Sequence, residues 1–189
     1  MQPSDDAAVA PTASGKHSSF SFVDRTPVLA ALGGPGQVLD LGCGVGNWSL
    51  ALASGGTPVL AIDRWRAGLG WLGQHGQGLP LLALEADLGA PLPVADGAVG
   101  GVLLSLVLHH LRASGVAARL VIEVARVLRP GGLMAVVEFL PVPPPPGPPL
   151  AARLSTQQVL ALSANAGLIE SATQPIADHV ALYVSRKPS

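Results

Sequence analysis

The stretch VLDLGCGVGNWSL, residues 38–50, restricts the fold of this chain more than any other feature. An apolar run that ends near Asp40 leads into three glycines at alternate positions, Gly42, Gly44 and Gly46, and then into a helical pattern. Glycines let the chain bend sharply and let a ligand approach the backbone, beside the free N–H groups at a helix start. In a parallel sheet, ligands bind beyond the carboxyl ends of the strands. The stretch therefore predicts a ligand-binding α/β fold.

Short apolar runs alternate with helical patterns in the rest of the chain. Strands are predicted at QVLDL (37–41), PVLAID (58–63), LPLLALEA (79–86), GGVLLSLVL (100–108), LMAVVEFL (133–140), LIESAT (168–173) and HVALYVSR (179–186). Helices are predicted at 46–54, from Trp65, at about 114–128, and after Ser155, which forms a capping box with Gln158. RPGG at 129–132 is predicted to end the third of these helices and to turn the chain into the next strand. Apolar strands that alternate with helices are typical of a parallel sheet covered on both faces.

Composition and charge limit the class of protein. A chain of 189 residues with one cysteine suits a single domain, predicted at 20–189, after a flexible N-terminal arm at 1–19. The formal net charge is −1 and the 11 Lys and Arg residues form no run, which argues against nucleic acid as a partner. The apolar runs are too short to span a membrane, and the N-terminus lacks the pattern of a secretory signal. We therefore expect a cytoplasmic protein without membrane contact, as a monomer or a homodimer.

Aspartates lie at or just after the ends of the first three predicted strands, and their order indicates the ligand. Asp40 suits a ligand that carries an ammonium group, since a carboxylate would repel a pyrophosphate. Asp63 can accept hydrogen bonds from both hydroxyls of a ribose. Asp87 can accept from an exocyclic amine, and Leu88 can pack on a flat base. An ammonium, a ribose and an adenine in this order describe S-adenosylmethionine.

The chain resembles the class I S-adenosylmethionine-dependent methyltransferases. The resemblance covers about residues 20–186 and rests on the glycine motif, on EADLGAPLPVADGAVGGVLLSLVLHHL and on EVARVLRPGGLMAVVEF, which occur in series. It implies a Rossmann-like, mostly parallel α/β sheet of seven strands in the order 3-2-1-4-5-7-6, with the last strand antiparallel and helices on both faces. The chain departs from the family between the third and fourth strands, where only LGAPLPVADGAV is present. A helix at that point is therefore expected to be short or absent.

The resemblance implies S-adenosylmethionine as the cofactor and a small-molecule acceptor for its methyl group. Asp40, Gly42 and Gly44 would line the methionine end of the cofactor, and Ser105 would border it. Cys43, inside the turn, is expected to pack rather than to act as a nucleophile, because no basic residue adjoins it in sequence. The implied cofactor-binding residues are Asp40, Gly42, Cys43, Gly44, Asn47, Asp63, Arg64, Ala86, Asp87, Leu88 and Ser105.

Candidate catalytic residues follow the fourth and fifth strands, where the acceptor would approach the methyl group. His109, His110 and Glu138 are the candidates, because a base helps when a hydroxyl or thiol acceptor must lose a proton. A structural role for them stays open, as does convergence of His109 or His110 with His17 and His179 on a metal, although we predict no metal site.

The aromatic residues Phe20 and Phe22 could form a lid over the site or could pack the first helix. Two alternative functions also remain. One is a non-catalytic scaffold or regulatory module that binds the cofactor. The other is a nicotinamide-dependent oxidoreductase, which the glycine spacing disfavours because the third glycine comes one residue early for the G-x-G-x-x-G fingerprint.

Overall fold

A seven-stranded sheet with the strand order β3-β2-β1-β4-β5-β7-β6 forms the centre of the molecule. The computed structural model describes residues 18–34, 36–143 and 147–189. The strands are β1 (Val38–Leu41), β2 (Val59–Asp63), β3 (Leu81–Glu85), β4 (Val99–Ser105), β5 (Leu128–Phe139), β6 (Ile169–Ala177) and β7 (Val180–Arg186). Strands β1 to β5 are parallel, and β7 is antiparallel to both of its neighbours. The predicted fold class and strand order are confirmed.

Helices cover both faces of the sheet because its central strands are apolar on both sides. The helices are α1 (Thr26–Leu32), α2 (Asn47–Ser54), α3 (Arg66–His75), α4 (Leu108–Leu111), α5 (Val116–Val127) and α6 (Thr156–Asn165). In β4, Val102 and Leu104 pack with residues of α4, α5 and α6, whereas Leu103 packs with residues of α1 and α2. Each such buried side chain stabilises the fold by about 1.5–3 kcal/mol relative to exposure. The capping box of Ser155 and Gln158 is present at the start of α6, as predicted.

Two predicted boundaries in the central strands are wrong. Strand β4 ends at Ser105 and not at 108, because Leu106 adopts a φ of +57° that a continuing strand does not allow. The chain then enters the short buried helix α4. RPGG (129–132) lies within β5, which begins directly after α5, and the register with β4 shifts there. The glycines therefore form an irregular part of the strand and not a turn before it.

The connection between β3 and β4 contains no helix over residues 86–98, as expected. Arg126 of α5 holds this connection, because its guanidinium donates to the carbonyl oxygens of Leu92 (3.0 Å) and Val94 (2.8 Å). The same guanidinium pairs with Glu123, whose carboxylate accepts the backbone N–H of Leu92 at 2.9 Å. Side-chain hydrogen bonds from α5 thus satisfy backbone groups that the missing helix would satisfy.

The described N-terminal residues form a 3-10 turn, Ser19–Ser21, that packs on the domain. Two residues of the predicted flexible arm, Ser18 and Ser19, belong to this turn and its cap, and Ser19 is buried. The remainder of that arm, residues 1–17, lies outside the described residues. Within the described part of the chain, no helix combines the length and the apolar character needed to cross a membrane.

Candidate functional site

The glycine turn between β1 and α2 has one side open. Gly42, Gly44 and Gly46 have φ angles of +74°, +60° and +77°, a region that favours glycine. A Cβ atom would lie 2.6 Å from the side chain of Val107 at Gly42, and 2.5 Å from that of Leu72 at Gly46, whereas at Gly44 it would meet nothing within 4 Å. The outer two glycines are therefore needed for close packing. The middle one presents bare backbone to open space, where a ligand can approach.

Asp63 ends β2 beside this open side. One carboxylate oxygen accepts the backbone N–H of Gly44 at 2.8 Å, and the other accepts that of Trp65 at 2.8 Å. Hydrogen bonds to an ionised group are stronger than those between neutral groups, so the two bonds hold the carboxylate in one orientation. The remaining lone pairs of its oxygens can accept further hydrogen bonds, as ribose hydroxyls require.

Asp40 lies buried at the carboxyl end of β1, with only 2% of its surface exposed. Burial raises the pKa of its carboxyl group from 3.8 to about 6, against the lowering effect of a 2.6 Å hydrogen bond donated by Ser49, while the nearby charge of Asp63 raises it further. A buried carboxylate without a cation is costly, so a ligand that brings an ammonium group close to Asp40 is favoured.

The residues predicted to hold the adenine base lie next to Asp63 in the sheet, in the segment that follows β3. Ala86 donates its backbone N–H to the Asp63 carbonyl at 3.1 Å, which ties the segment after β3 to the end of β2. Asp87 and Arg64 are exposed, and the Asp87 carboxylate accepts the backbone N–H of Gly89 at 2.8 Å. Leu88 is half-buried, with its side chain 3.7 Å from the position of a Cβ at residue 42. This segment therefore offers an adenine ring an apolar surface, from Leu88, and a hydrogen-bond acceptor, from Asp87.

Two other predicted cofactor residues lie in the turn itself. Asn47 begins α2 directly after Gly46. Cys43 is half-buried, and its backbone N–H donates to the Ile62 carbonyl at 3.2 Å. Burial raises the pKa of its thiol strongly, and the charges of Asp40 and Asp63 raise it further, so the sulfur stays protonated. This supports a packing role for Cys43 over a nucleophilic one.

His109, in the short helix α4 that follows β4, and Glu138, near the end of β5, form a buried pair. Nδ1 of His109 lies 2.9 Å from one oxygen of Glu138, and the backbone N–H of His109 donates to the other oxygen at 3.2 Å. The backbone N–H of Phe139 adds a third donor at 3.3 Å. An ionised carboxylate only accepts hydrogen bonds, so a pair with Glu138 ionised requires the proton on Nδ1 and leaves Nε2 as the ring nitrogen that can accept one. His110 is exposed, and its ring lies 4.0 Å from that of His109.

The N-terminal turn places Ser19, which the sequence does not single out, beside Phe20 and Phe22, for which the sequence leaves open a lid or packing of the first helix. The hydroxyl of Ser19 lies 2.6 Å from that of Ser105, which ends β4, and accepts the indole N–H of Trp48 at 2.9 Å. The ring of Phe20 packs edge-on against Trp48, and that of Phe22 stacks on Phe139 with 6.0 Å between centroids. Isolated serines carry no sequence signal for such contacts. The turn therefore lies over the ends of β4 and β5.

The metal hypothesis gains no support from the geometry. Within the part of the chain that the structure describes, no group of three or more His, Cys, Asp and Glu residues could hold a metal ion. His17, one of the residues considered for such a site, lies outside the described residues.

The sheet order, the open glycine turn and the aspartates at or just after the ends of successive strands define a class I, Rossmann-like methyltransferase fold. The chain belongs to the methyltransferase domain family, because that family's model matches residues 39–136, which is just over half of the 189 residues. The matched segment runs from β1 to β5 and includes the glycine turn and His109. The predicted family and fold are thus confirmed.

Individual relatives agree with this assignment. A demethylmenaquinone methyltransferase from Beutenbergia cavernae is 38% identical over 117 residues, which are 61% of this chain and 46% of that protein. The matched part therefore spans about half the length of this relative. The crystal structure of a SAM-dependent methyltransferase from Aquifex aeolicus matches with a TM-score of 0.77 and 20% identity, over 90% of this chain and 93% of that one.

A second solved structure contains ligands. It is the 1,6-didemethyltoxoflavin-N1-methyltransferase of Burkholderia thailandensis with bound 1,6-didemethyltoxoflavin and S-adenosylhomocysteine. It matches with a TM-score of 0.70 and 21% identity, over 86% of this chain and 77% of that one. At these identities both solved structures establish the shared fold.

Proposed function

We propose that the chain transfers a methyl group from S-adenosylmethionine to a small-molecule acceptor. The observation that carries this proposal is the open side of Gly44 with the carboxylate of Asp63 hydrogen-bonded to its N–H. Bare backbone at the turn admits a ligand closely, and the adjacent carboxylate suits ribose hydroxyls. Membership in the methyltransferase domain family supports the same reading.

The chemistry of the other residues fits this cofactor. When bound, S-adenosylmethionine supplies a methyl group on a positively charged sulfur. Buried Asp40 would hold the ammonium group of the methionine part, since their opposite charges offset the cost of burial. Asp87, Leu88 and Arg64 would surround the adenine on the far side of Asp63. Cys43, Asn47 and Ala86 would contribute mainly backbone and packing surface.

His109 would act on the acceptor. Its Nε2 can take the proton of a hydroxyl or thiol, while Glu138 holds Nδ1 and stabilises the charged ring that results. Glu138 is therefore a positioning residue in this proposal, and His110 would form part of the entrance. In-line alignment of the acceptor with the methyl group is the larger part of the catalysis.

A small molecule is the acceptor class that the relatives favour. The relative from Beutenbergia cavernae is named for a demethylmenaquinone, and the enzyme from Burkholderia thailandensis contains a didemethyltoxoflavin. Both names refer to small organic molecules. That the chain acts in the cytoplasm, without nucleic acid and as a monomer or homodimer, stays a prediction from its sequence.

Calorimetric titration tests the cofactor. Wild type should bind S-adenosylmethionine and S-adenosylhomocysteine, and Asp63→Asn should weaken both by tenfold or more, or about 1.4 kcal/mol, because an amide nitrogen replaces one acceptor oxygen. Asp178→Asn, in the exposed turn between β6 and β7, is the matched control and should bind as wild type does. Tighter binding of NADH than of S-adenosylhomocysteine would instead support an oxidoreductase.

Turnover separates the enzyme from a scaffold. Candidate acceptors that carry hydroxyl, thiol or amine groups are incubated with S-adenosylmethionine that has a tritiated methyl group. Label in any acceptor supports the enzyme, and His109→Asn should slow transfer to hydroxyl and thiol acceptors. Tight cofactor binding without transfer to any class of acceptor would favour the scaffold.

A further inference from the structure

The N-terminal turn provides a hydrogen-bond chain that ends at the cofactor side of the sheet. Trp48 of α2 donates its indole N–H to the hydroxyl of Ser19 at 2.9 Å, and that hydroxyl lies 2.6 Å from the hydroxyl of Ser105. Trp48 and Ser19 are 3% and 1% exposed, whereas Ser105 is half-buried. The series of hydrogen bonds therefore runs from the buried Trp48 toward Ser105 at the rim of the sheet.

The direction of the protons along this chain follows from burial. An indole nitrogen only donates, so the oxygen of Ser19 accepts there. Among the described residues, the only other hydrogen-bond partner of that oxygen is Ser105. A buried hydroxyl proton without an acceptor is costly, so Ser19 donates to Ser105. The hydroxyl of Ser105 is consequently free to donate its proton to a group other than Trp48 and Ser19.

The position of Ser105 indicates which part of the cofactor it faces. In the register of β1 and β4, Asp40 pairs with Leu103 and Leu41 with Leu104, so Ser105 is level with Gly42. It thus lies at the end of the glycine turn where Asp40 would hold an ammonium group. The α-ammonium and α-carboxylate of one amino acid are neighbours, and a carboxylate is the partner that a directed hydroxyl donor requires.

We propose that Ser19 is a positioning residue that turns the Ser105 hydroxyl into a directed donor for the α-carboxylate of the cofactor. This proposal rests on the proposed function, because it requires the turn to bind S-adenosylmethionine or its demethylated product. The hydrogen bond from Trp48 sets the direction in which Ser19 donates its proton, and the bond from Ser19 sets the direction in which Ser105 donates its own. The N-terminal turn thereby takes part in recognising the cofactor without contacting it.

The test compares two ligands that differ only in the carboxylate, S-adenosylhomocysteine and its decarboxylated analogue, by calorimetric titration. Ser105→Ala should weaken binding of S-adenosylhomocysteine about tenfold, and Ser19→Ala about threefold to tenfold. The double variant should bind no more weakly than Ser105→Ala, because Ser19 acts through Ser105. Binding of the decarboxylated analogue should be the same in all of these variants.

Ser21→Ala is the matched control. Its hydroxyl lies in the same turn, is exposed and donates to the Ser18 carbonyl, so this variant should bind both ligands as wild type does. Trp48→Phe keeps an aromatic ring but removes the indole donor, and should weaken S-adenosylhomocysteine selectively.

Three results would overturn the proposal. Unchanged affinity of Ser19→Ala for S-adenosylhomocysteine would exclude a positioning role. An equal loss of affinity for both ligands would show that the turn only supports the fold of the site. Absence of S-adenosylhomocysteine binding to wild type would overturn the proposed function together with this inference, whereas the first two results leave the proposed function intact.

Discussion

Replacement of Asp40 by asparagine should change how the stability of the protein depends on pH. The pKa of this carboxyl group rises on folding from 3.8 to about 6, mainly through burial. Between these values the folded state binds more protons than the unfolded state, so this group's contribution to the free energy of unfolding falls as pH rises. At about 1.4 kcal/mol per pKa unit, the raised pKa lowers the free energy of unfolding, relative to its value at low pH, by about 1.6 kcal/mol at pH 5 and by about 3 kcal/mol at pH 7.5.

Asparagine removes this dependence. Its oxygen can still accept the hydroxyl of Ser49, and its buried amide nitrogen adds a cost of about 1–3 kcal/mol that does not vary with pH. When pH is raised from 5 to 7.5, wild type should lose about 1.4 kcal/mol of unfolding free energy relative to Asp40→Asn, because only wild type carries the carboxyl group.

Urea unfolding of both proteins at the two pH values measures this difference. Ser49 stays in both proteins, so its hydrogen bond does not distinguish them. A difference that stays constant between pH 5 and 7.5 would refute the argument, because the carboxyl group would then titrate alike in both states. In the same samples, Asp40→Asn should bind S-adenosylhomocysteine more weakly, and the affinity of wild type should fall as pH is lowered through about 6.

Two further substitutions should lower stability for separate reasons. Gly147→Ala places a Cβ 2.6 Å from the ring of Phe139 at a φ of +90°, so we expect a loss of about 2–4 kcal/mol in urea unfolding. Arg126→Ala removes the donors that hold the connection between β3 and β4, so we expect a loss of about 1–3 kcal/mol and faster amide hydrogen exchange at Leu92.

Matched controls accompany these two substitutions. Gly34→Ala has open space at the new Cβ and no positive φ, and Arg119 is exposed on the same helix as Arg126. If Gly147→Ala costs no more than Gly34→Ala, the close contact with Phe139 is not limiting. If Arg119→Ala and Arg126→Ala change hydrogen exchange alike, the bonds of Arg126 do not hold the connection.

Local patterns predicted most of the sheet and much of the glycine turn. Alternation of apolar strands with helices indicated a parallel sheet, and the family resemblance supplied the strand order that the structure has. The sequence misplaces the end of β4 because Leu106, Val107 and Leu108 continue its apolar run into α4, so the pattern stays apolar across the boundary. RPGG predicts a turn because its proline and glycines give no sign that the chain continues here as part of β5.

Contacts between distant residues could not be read from the sequence. His109 and Glu138 were separate candidates, and their pairing across 29 positions follows from the order of β4 and β5 in the sheet. The contact of Ser19 with Ser105 spans 86 positions and depends on how the N-terminal turn crosses the sheet. Neither a lone serine nor a glutamate at a strand end carries a periodicity that identifies its partner.

The ring of Phe139 couples the packing of three segments that lie near the proposed acceptor site. It stacks on Phe22 of the N-terminal segment, lies 5.0 Å from the guanidinium of Arg153 and 6.3 Å from the ring of His109. Three segments that are far apart in sequence therefore share one packing partner, so truncations in any two of them should have non-additive effects on stability. An altered acceptor preference obtained by changing one of these segments would consequently require compensating changes in the others.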